Sequence, residues 1–499
     1  MIARLEALLY GPDRRGSVIG FVALVMLAAV AVSVAIGVAG PLYAIAGFAV
    51  AIGALLILRD LRWGVIALLA VIGVVPFGAL PFKLGFTPTF MDVALLAVCT
   101  VWILRLATRR EEDLRGSPIG ALVLLFVFLA LFSFANGLRY GMPTSTTIRN
   151  FAELVLAILF FFVVLNMIRS RAELDFFARL LLLAGAAAGA IAIMFYVIPE
   201  AWTVRVLDAL GRFNYPGGYG ALRYIEDDSE NPMRAIGTMV DPNVLGGFMI
   251  LMGGLAAAQV VSKQPVFPRR WTVLICGIIL LALYLTYSRG SLAGLAAGVF
   301  LIALLRYRKL LWIGIVGVAL LLLLPVTQEY VTHFIEGIQL EDRATLMRLG
   351  EYKDALSLIR RYPWFGVGFA GSPDADLYVG VSNLYLLITE EMGLLGLTAF
   401  LGVVVAFFQQ LWRAWRRTML GGEDPRMEAI LLGIGASISG VMVGGLLDHY
   451  LFNLVYPHMS TLFWMFLGVG MSATMLTTRG EQPGDAAASH ARGCAPSTF

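Results

Sequence analysis

Apolar runs bounded by charges, Gly and Pro recur along the whole chain. They lie near positions 16–39, 41–58, 63–80, 89–107, 118–136, 149–168, 174–198, 235–260, 270–287, 290–306, 309–325, 382–409, 428–447 and 455–476. Most approach or exceed the ~20 residues with which a helix rising ~1.5 Å per residue crosses a hydrocarbon layer. The pattern predicts an all-α fold: a polytopic membrane helical bundle of about fourteen transmembrane helices, or about twelve if the short pairs at 41–80 and 290–325 are merged. Two polar stretches, 199–234 and 326–381, are too long for tight connections. The chain therefore divides into N-terminal transmembrane helices (1–198), a first loop (199–234), further transmembrane helices (235–325), a large second loop (326–381) and C-terminal transmembrane helices (382–479). A tail (480–499), rich in Ala, Gly and Pro, is expected to be disordered.

Inside the second loop the period changes. Leu349, Tyr352, Leu356 and Ile359 recur at helical spacing with charges between them. That predicts an amphipathic helix lying on the membrane surface, ended by Tyr362-Pro363. The turn after it, Gly366-Val367-Gly368-Phe369-Ala370-Gly371, lacks the strand–turn–helix context of a nucleotide loop.

The charges between the runs fix an orientation. Arg59 and Arg62; Arg105, Arg109, Arg110 and Arg115; Arg169 and Arg171; Lys263, Arg269 and Arg270; Arg306, Arg308 and Lys309; and Arg413, Arg416, Arg417 and Arg426 fall in alternate connections. The short connections between them hold few bases, so the positive-inside rule predicts that both termini are cytoplasmic. The two long loops and the turn at Arg289 then lie outside. Composition agrees: of 499 residues 59% are hydrophobic and 14% charged, against roughly a quarter charged in soluble domains. A net charge of +4 gives no reason to expect a nucleic-acid partner. Cys99, Cys276 and Cys494 are too scattered for a disulfide framework or a zinc site. Three arginines among the first fifteen residues lead into a full-length span, which reads as a retained first helix rather than a cleaved signal.

No HExxH, GxSxG, P-loop or acidic metal cluster is present, so neither a cofactor nor a metal is expected and the chemistry must come from positioning and electrostatics. Arg289 stands in a turn, Thr286-Tyr287-Ser288-Arg289-Gly290-Ser291, between two apolar runs. A guanidinium at bilayer depth costs ~3 kcal/mol or more unless it meets an anion or a wet cavity, so Arg289 is expected to face an anionic substrate. Arg234 precedes Asp241-Pro242-Asn243, where Asp241 reads as a helix N-cap with Pro242 at the first helical position, and such an N-terminus also attracts anions. Glu390 and Glu391 are adjacent carboxylates inside an apolar run, expected to line a cavity or pair with an arginine.

Several of these pieces resemble, in order and spacing, the O-antigen ligase and polymerase superfamily of membrane glycosyltransferases. They are Arg234 through Asn243; Tyr287-Ser288-Arg289-Gly290; Tyr362-Pro363-Trp364-Phe365-Gly366-Val367-Gly368; and Asn383-Leu384-Tyr385-Leu386 with Glu391-Met392-Gly393-Leu394-Leu395-Gly396. The resemblance covers roughly residues 230–410. It implies a metal-independent, inverting transfer of glycan at the outer face of the bacterial inner membrane. The donor would be an undecaprenyl-diphosphate-linked glycan and the acceptor a glycan or lipid hydroxyl, with membrane lipids as surroundings. Arg234 and Arg289 match the family's two diphosphate-holding arginines, with Arg149 and Arg223 as possible helpers. Ser382 occupies the position of a family histidine proposed to activate the acceptor, beside Asn383 and Tyr385. The base then falls to Glu390, Glu391 or His449, and the choice between polymerase and ligase stays open. The loop at 199–234 is expected to close over the donor sugar. An alternative reading is a transporter or flippase for a glycolipid or another anionic solute; that class favours internal repeats and midplane polar residues, and the charges here gather at the outer edge.

Overall fold

The structure, a computed structural model, describes residues 52–308 apart from Leu84 and residues 109–113, and residues 343–479 apart from 372–379 and 422–423. Met26 and scattered positions between 311 and 323 are also described. Most of the spans expected at 16–39 and 309–325, the start of that at 41–58, loop residues 326–342 and the tail lie outside the described residues. Residues 1–64 and 65–499 form two compact units. In the first lie helical residues 52–59 and the start of the helix Leu61–Val74; the second carries the elements after it.

The runs expected between 63 and 306, and those from 382 onward, each contain a helix. They form α1 (Leu61–Val74), α2 (Phe90–Ala107), α3 (Gly120–Gly137), α4 (Ser145–Met167), α5 (Arg171–Val197), α7 (Pro242–Val261), α8 (Arg269–Leu285), α9 (Arg289–Leu305), α11 (Leu384–Leu420), α12 (Pro425–Gly444) and α13 (Pro457–Arg479). In the loops lie α6 (Glu200–Leu210) and α10 (Arg343–Arg361). Among the described residues eight helices are long and apolar enough to cross a membrane, and α1 and α9 are shorter apolar helices. The only β pairing among the described residues is two isolated bridges, Ala79 with Thr89 and Tyr224 with Met233.

Local chemistry sets where helices start. Thr89 and Asp92 form a reciprocal capping box on α2, and Ser170 and Glu173 another on α5; each satisfies amides that a helix start leaves unpaired. Asp241 caps α7 with Pro242 at its first position, as expected. That cap also shortens the expected span: residues 237–239 make a 3-10 turn and Val240 is left-handed (φ 59°), so the helix does not reach back to 235.

Small residues let the central helices meet backbone to backbone. A Cβ on Gly254 of α7 would lie 2.5 Å from the Ser437 nitrogen of α12, and one on Gly298 of α9 would lie 2.4 Å from the Ala436 carbonyl. At one end of the bundle, ion pairs tie the connections together: Arg306 with Glu428 (2.9 Å), Arg426 with Asp175 (2.8 Å), and Arg171 with Asp424. At the other end, residues 199–241 pack against the end of α5, in a cluster in which Phe195 of that helix is buried with Leu207, Tyr215, Leu222 and Ile236.

Two features of this second end shape the site. First, α11 is broken at Gly393 (φ 70°, ψ −176°). The freed backbone groups find partners in residues 363–368. Val367 and Gly368 donate to the carbonyls of Glu390 (2.8 Å) and Glu391 (3.0 Å), while Leu394 and Leu395 donate to those of Pro363 (2.7 Å) and Trp364 (3.4 Å). Irregular backbone is tolerated in a membrane helix only when protein supplies such partners. Second, the amphipathic helix expected in the second loop is α10, but its inward face is rotated from the expected stripe. Ala355 and Leu358 are fully buried, with Tyr352 beside them, whereas Leu349 and Leu356 are exposed.

Candidate functional site

Arg234 is pinned by its own backbone. Its N–H donates to the Arg223 carbonyl (2.7 Å) and the next amide, Ala235, to the Leu285 carbonyl (2.8 Å), which lays the strand across the end of α8. Nε then donates to the Thr286 carbonyl (2.8 Å) and Nη2 to Asn243 Oδ1 (2.8 Å), at the start of α7. The carbonyl at Thr286 is available because α8 has ended there. The guanidinium thus bridges the end of α8 and the beginning of α7.

Arg289 comes next in space. Tyr287 turns the chain in a left-handed conformation (φ 52°) and Arg289 becomes the first residue of α9. The hydroxyl of the N-cap, Ser288, pairs with that of Ser291 (2.9 Å) rather than accepting from a backbone amide, and α9 has no side-chain cap. The first-turn amides of Gly290 and Ser291 therefore face the surroundings uncapped, with the positive end of the helix dipole behind them. Gly246 makes room for this turn, since a Cβ there would sit 2.3 Å from Ser291 Oγ.

These groups line one cleft of about 100 Å³, room for several water-sized groups. Arg348 of α10, Glu226, and Leu447, Asp448 and Tyr450 from the connection after α12 complete its wall. Three guanidiniums face two carboxylates, and with an uncapped helix N-terminus the balance favours an anion. Burial pushes the Asp448 carboxyl above the usual carboxylate range; the adjacent His449 opposes the rise, Asp241 adds to it, and Arg348 again opposes it. Asp448 Oδ1 accepts the His449 amide (2.7 Å). Tyr450 is buried with its hydroxyl unpartnered, and burial drives that hydroxyl well above its ordinary value. Its ring fills the space left by Gly247, where a Cβ would lie 2.3 Å away.

The expected site residues divide into three groups. Arg234 and Arg289 share the cleft. Ser382, Asn383 and Tyr385 stand behind its wall and hold it: Asn383 Nδ2 donates to the Leu446 carbonyl (2.8 Å), Tyr385 to that of Met442 (2.6 Å), and the Ser382 amide to Glu351 Oε2 (2.8 Å). Leu384 adds its amide to the carbonyls of Gly445 (2.8 Å) and Asp448 (3.0 Å).

The others lie outside the cleft lining. Glu390 and Glu391 are buried at the break in α11, where their carbonyls make the ladder, and the Glu390 carboxylate faces the backbone of Gly380 and Val381. His449 has its Nδ1 3.7 Å from Asp448 Oδ1. Arg223 is exposed and acts on Tyr456, whose hydroxyl donates to Asp241 Oδ2 (3.5 Å). Arg149 is engaged elsewhere, on Asp92 (3.2 Å), the Thr87 carbonyl (3.0 Å) and Glu153 (3.8 Å), in an apolar groove between α2 and α4.

Sequence reasoning passed over Arg348, Asp448 and Tyr450. The available signals were slight: Arg348 precedes Tyr352 by one helical turn, and Asp448 and Tyr450 flank the histidine that drew attention.

Residues 274–401 match the family model described as O-Antigen ligase. The match supports the resemblance to the O-antigen ligase and polymerase superfamily; it takes in Arg289, α10 and the break in α11, and leaves Arg234 and Asp448 outside its bounds. A search of the curated proteins finds none that matches the chain.

Proposed function

We propose, with that family match as premise, that the chain is a membrane glycosyltransferase, a polysaccharide polymerase or glycan ligase. It moves a glycan from a polyprenyl-diphosphate-linked donor to an acceptor hydroxyl at the outer face of the inner membrane, metal-independently and with inversion. The observation that carries this reading is the convergence of Arg234 and Arg289 on the uncapped N-terminus of α9, in a cleft that also holds the half-buried carboxylate of Asp448. The outer location is supported by the arginine-rich connections at the opposite end of the bundle, which the positive-inside rule assigns to the cytoplasm.

In this mechanism Arg234, Arg289 and the amides of Gly290 and Ser291 hold the donor diphosphate. As the acceptor oxygen bonds to the anomeric carbon, the bond from that carbon to the diphosphate breaks, and the electron pair leaves with the diphosphate. Preorganised guanidiniums and helix amides stabilise the charge that builds there. Asp448 takes the proton from the acceptor hydroxyl. Its raised pKa makes it a better base than an ordinary surface carboxylate, and it is charged once the pH exceeds that value.

The test is glycan transfer in proteoliposomes from a synthetic undecaprenyl-diphosphate oligosaccharide, comparing wild type with Arg289→Ala. Product from the wild type and a collapse of on the order of a hundredfold or more in the variant is expected. Growth of the donor chain identifies a polymerase, and transfer to an added acceptor a ligase. Undiminished turnover in Arg289→Ala would overturn the role given to the cleft.

A further inference from the structure

The transfer mechanism leaves α10 unused, although that helix gives the cleft its third guanidinium. Arg348 lines the cleft and acts electrostatically on Asp448. The helix is fastened to the rest of the site by the next turn of the same face. Glu351 Oε2 accepts the Ser382 amide (2.8 Å), and the Tyr352 hydroxyl donates to the Leu446 carbonyl (3.2 Å), which Asn383 Nδ2 also reaches (2.8 Å). Arg348, Glu351, Tyr352, Ala355 and Leu358 recur at helical i, i+3, i+4 spacing and so share one side of α10. Ala355 and Leu358 are fully buried at its far end, while Leu346, Met347, Leu349 and Leu356 are exposed. The fastening therefore fixes one rotation of the helix, the one that sends Arg348 into the cleft.

Two guanidiniums and a helix N-terminus are enough to hold one phosphate. A third guanidinium on a separate element adds charge and donors that a single phosphate does not need, whereas a diphosphate carries more negative charge over more oxygens. We propose that Arg348 is a specificity-determining residue that makes the cleft prefer a diphosphate over a monophosphate, and that Glu351 and Tyr352 are positioning residues that hold it there. This rests on the reading of the cleft as the donor diphosphate site.

The experiment is calorimetric titration of the full-length protein in nanodiscs with two probes, farnesyl diphosphate and farnesyl monophosphate. The wild type is expected to prefer the diphosphate. Arg348→Gln is expected to lose on the order of tenfold in diphosphate affinity with little change for the monophosphate. Arg348→Lys, which keeps the charge but not the fork, is expected to fall between them, and it stands in if the Gln variant does not fold. Tyr352→Phe is expected to lower the same ratio by a smaller factor, whereas a merely structural role would weaken both probes together. Wild-type protein that binds neither probe overturns the reading of the cleft and this inference alike. Diphosphate binding that is lost in Arg234→Gln but intact in Arg348→Gln overturns the inference and leaves the cleft reading standing. An equal loss for both probes in Arg348→Gln also overturns the assignment of specificity.

Discussion

The break in α11 can be tested by adding one methyl group. Gly393 occupies a combination (φ 70°, ψ −176°) that is essentially closed to residues with a side chain, and forcing one in costs ~1–3 kcal/mol. In Gly393→Ala the new Cβ would also sit 2.2 Å from the carbonyl carbon and oxygen of Trp364. That backbone would have to retreat, taking with it the bonds from Leu394 to Pro363 (2.7 Å) and from Leu395 to Trp364 (3.4 Å). Each buried amide left unpaired costs ~1–3 kcal/mol, so the total loss is roughly 3 kcal/mol or more. At about 2 °C per kcal/mol for a large chain, the unfolding midpoint should fall by about 5 °C or more. Cys99 and Cys276 are buried, so a thiol-reactive dye reads their exposure on heating once Cys494 in the tail is replaced by Ser. Gly402→Ala is the matched control in the same helix: nothing lies within 4 Å of its Cβ, so it should be neutral or slightly stabilising. Equal midpoints for the two variants, with activity retained in Gly393→Ala, would refute the account of how the break is held.

Other outcomes follow from the cleft. Transfer should rise with pH through a value above the ordinary carboxylate range, because Asp448 must be deprotonated to act as the base, and Asp448→Asn should abolish both the activity and that limb of the profile. The same raised pKa means that the folded state binds this proton more tightly than the unfolded chain. Its contribution to stability is thus present below the unfolded pKa and declines as pH rises through the folded one; Asp448→Asn should flatten the midpoint-versus-pH curve in that window. Tyr450→Phe removes a buried hydroxyl that has no protein partner, so stability should hold or improve. If that hydroxyl contacts the donor, transfer should fall several-fold in the same variant, and unchanged kinetics would remove Tyr450 from the substrate contacts. Arg289→Lys should retain more transfer than Arg289→Ala yet less than wild type, because a point charge replaces a planar fork.

The spans that fall on described residues were legible because a membrane imposes length and apolarity on every helix, and the cap at Asp241 and Pro242 because it is local chemistry. Arg289 was legible for a related reason: a charge between two apolar runs demands an explanation. Other features depended on contacts across the chain. The pairing of Arg149 with Asp92 joins residues 57 positions apart, and it removes from the cleft an arginine that sequence position alone had grouped with it. Glu390 and Glu391 drew attention as carboxylates, whereas their carbonyls answer the break at Gly393, which only the 363–368 backbone reveals. Arg348 becomes distinctive only through the rotation of α10, which Tyr352 and Glu351 fix. Asp448 gains its significance from the burial that α11 imposes on its turn, through donors from Asn383 and Leu384.

The cleft draws its wall from residues 225–243, 287–291, 348 and 444–450, an order that matters while the chain is being made. When Arg234 and Arg289 have left the ribosome and entered the membrane, the carbonyl at Leu446 that anchors both Asn383 and Tyr352 does not yet exist. Neither α10 nor the start of α11 has its final partner, and Asp448 is still to be synthesised. A nascent or prematurely terminated chain thus carries the two arginines without the carboxylate that the proposed mechanism uses as its base. Under the proposed mechanism, transfer would therefore have to wait until the chain has passed α12 and Asp448 has been added to the cleft.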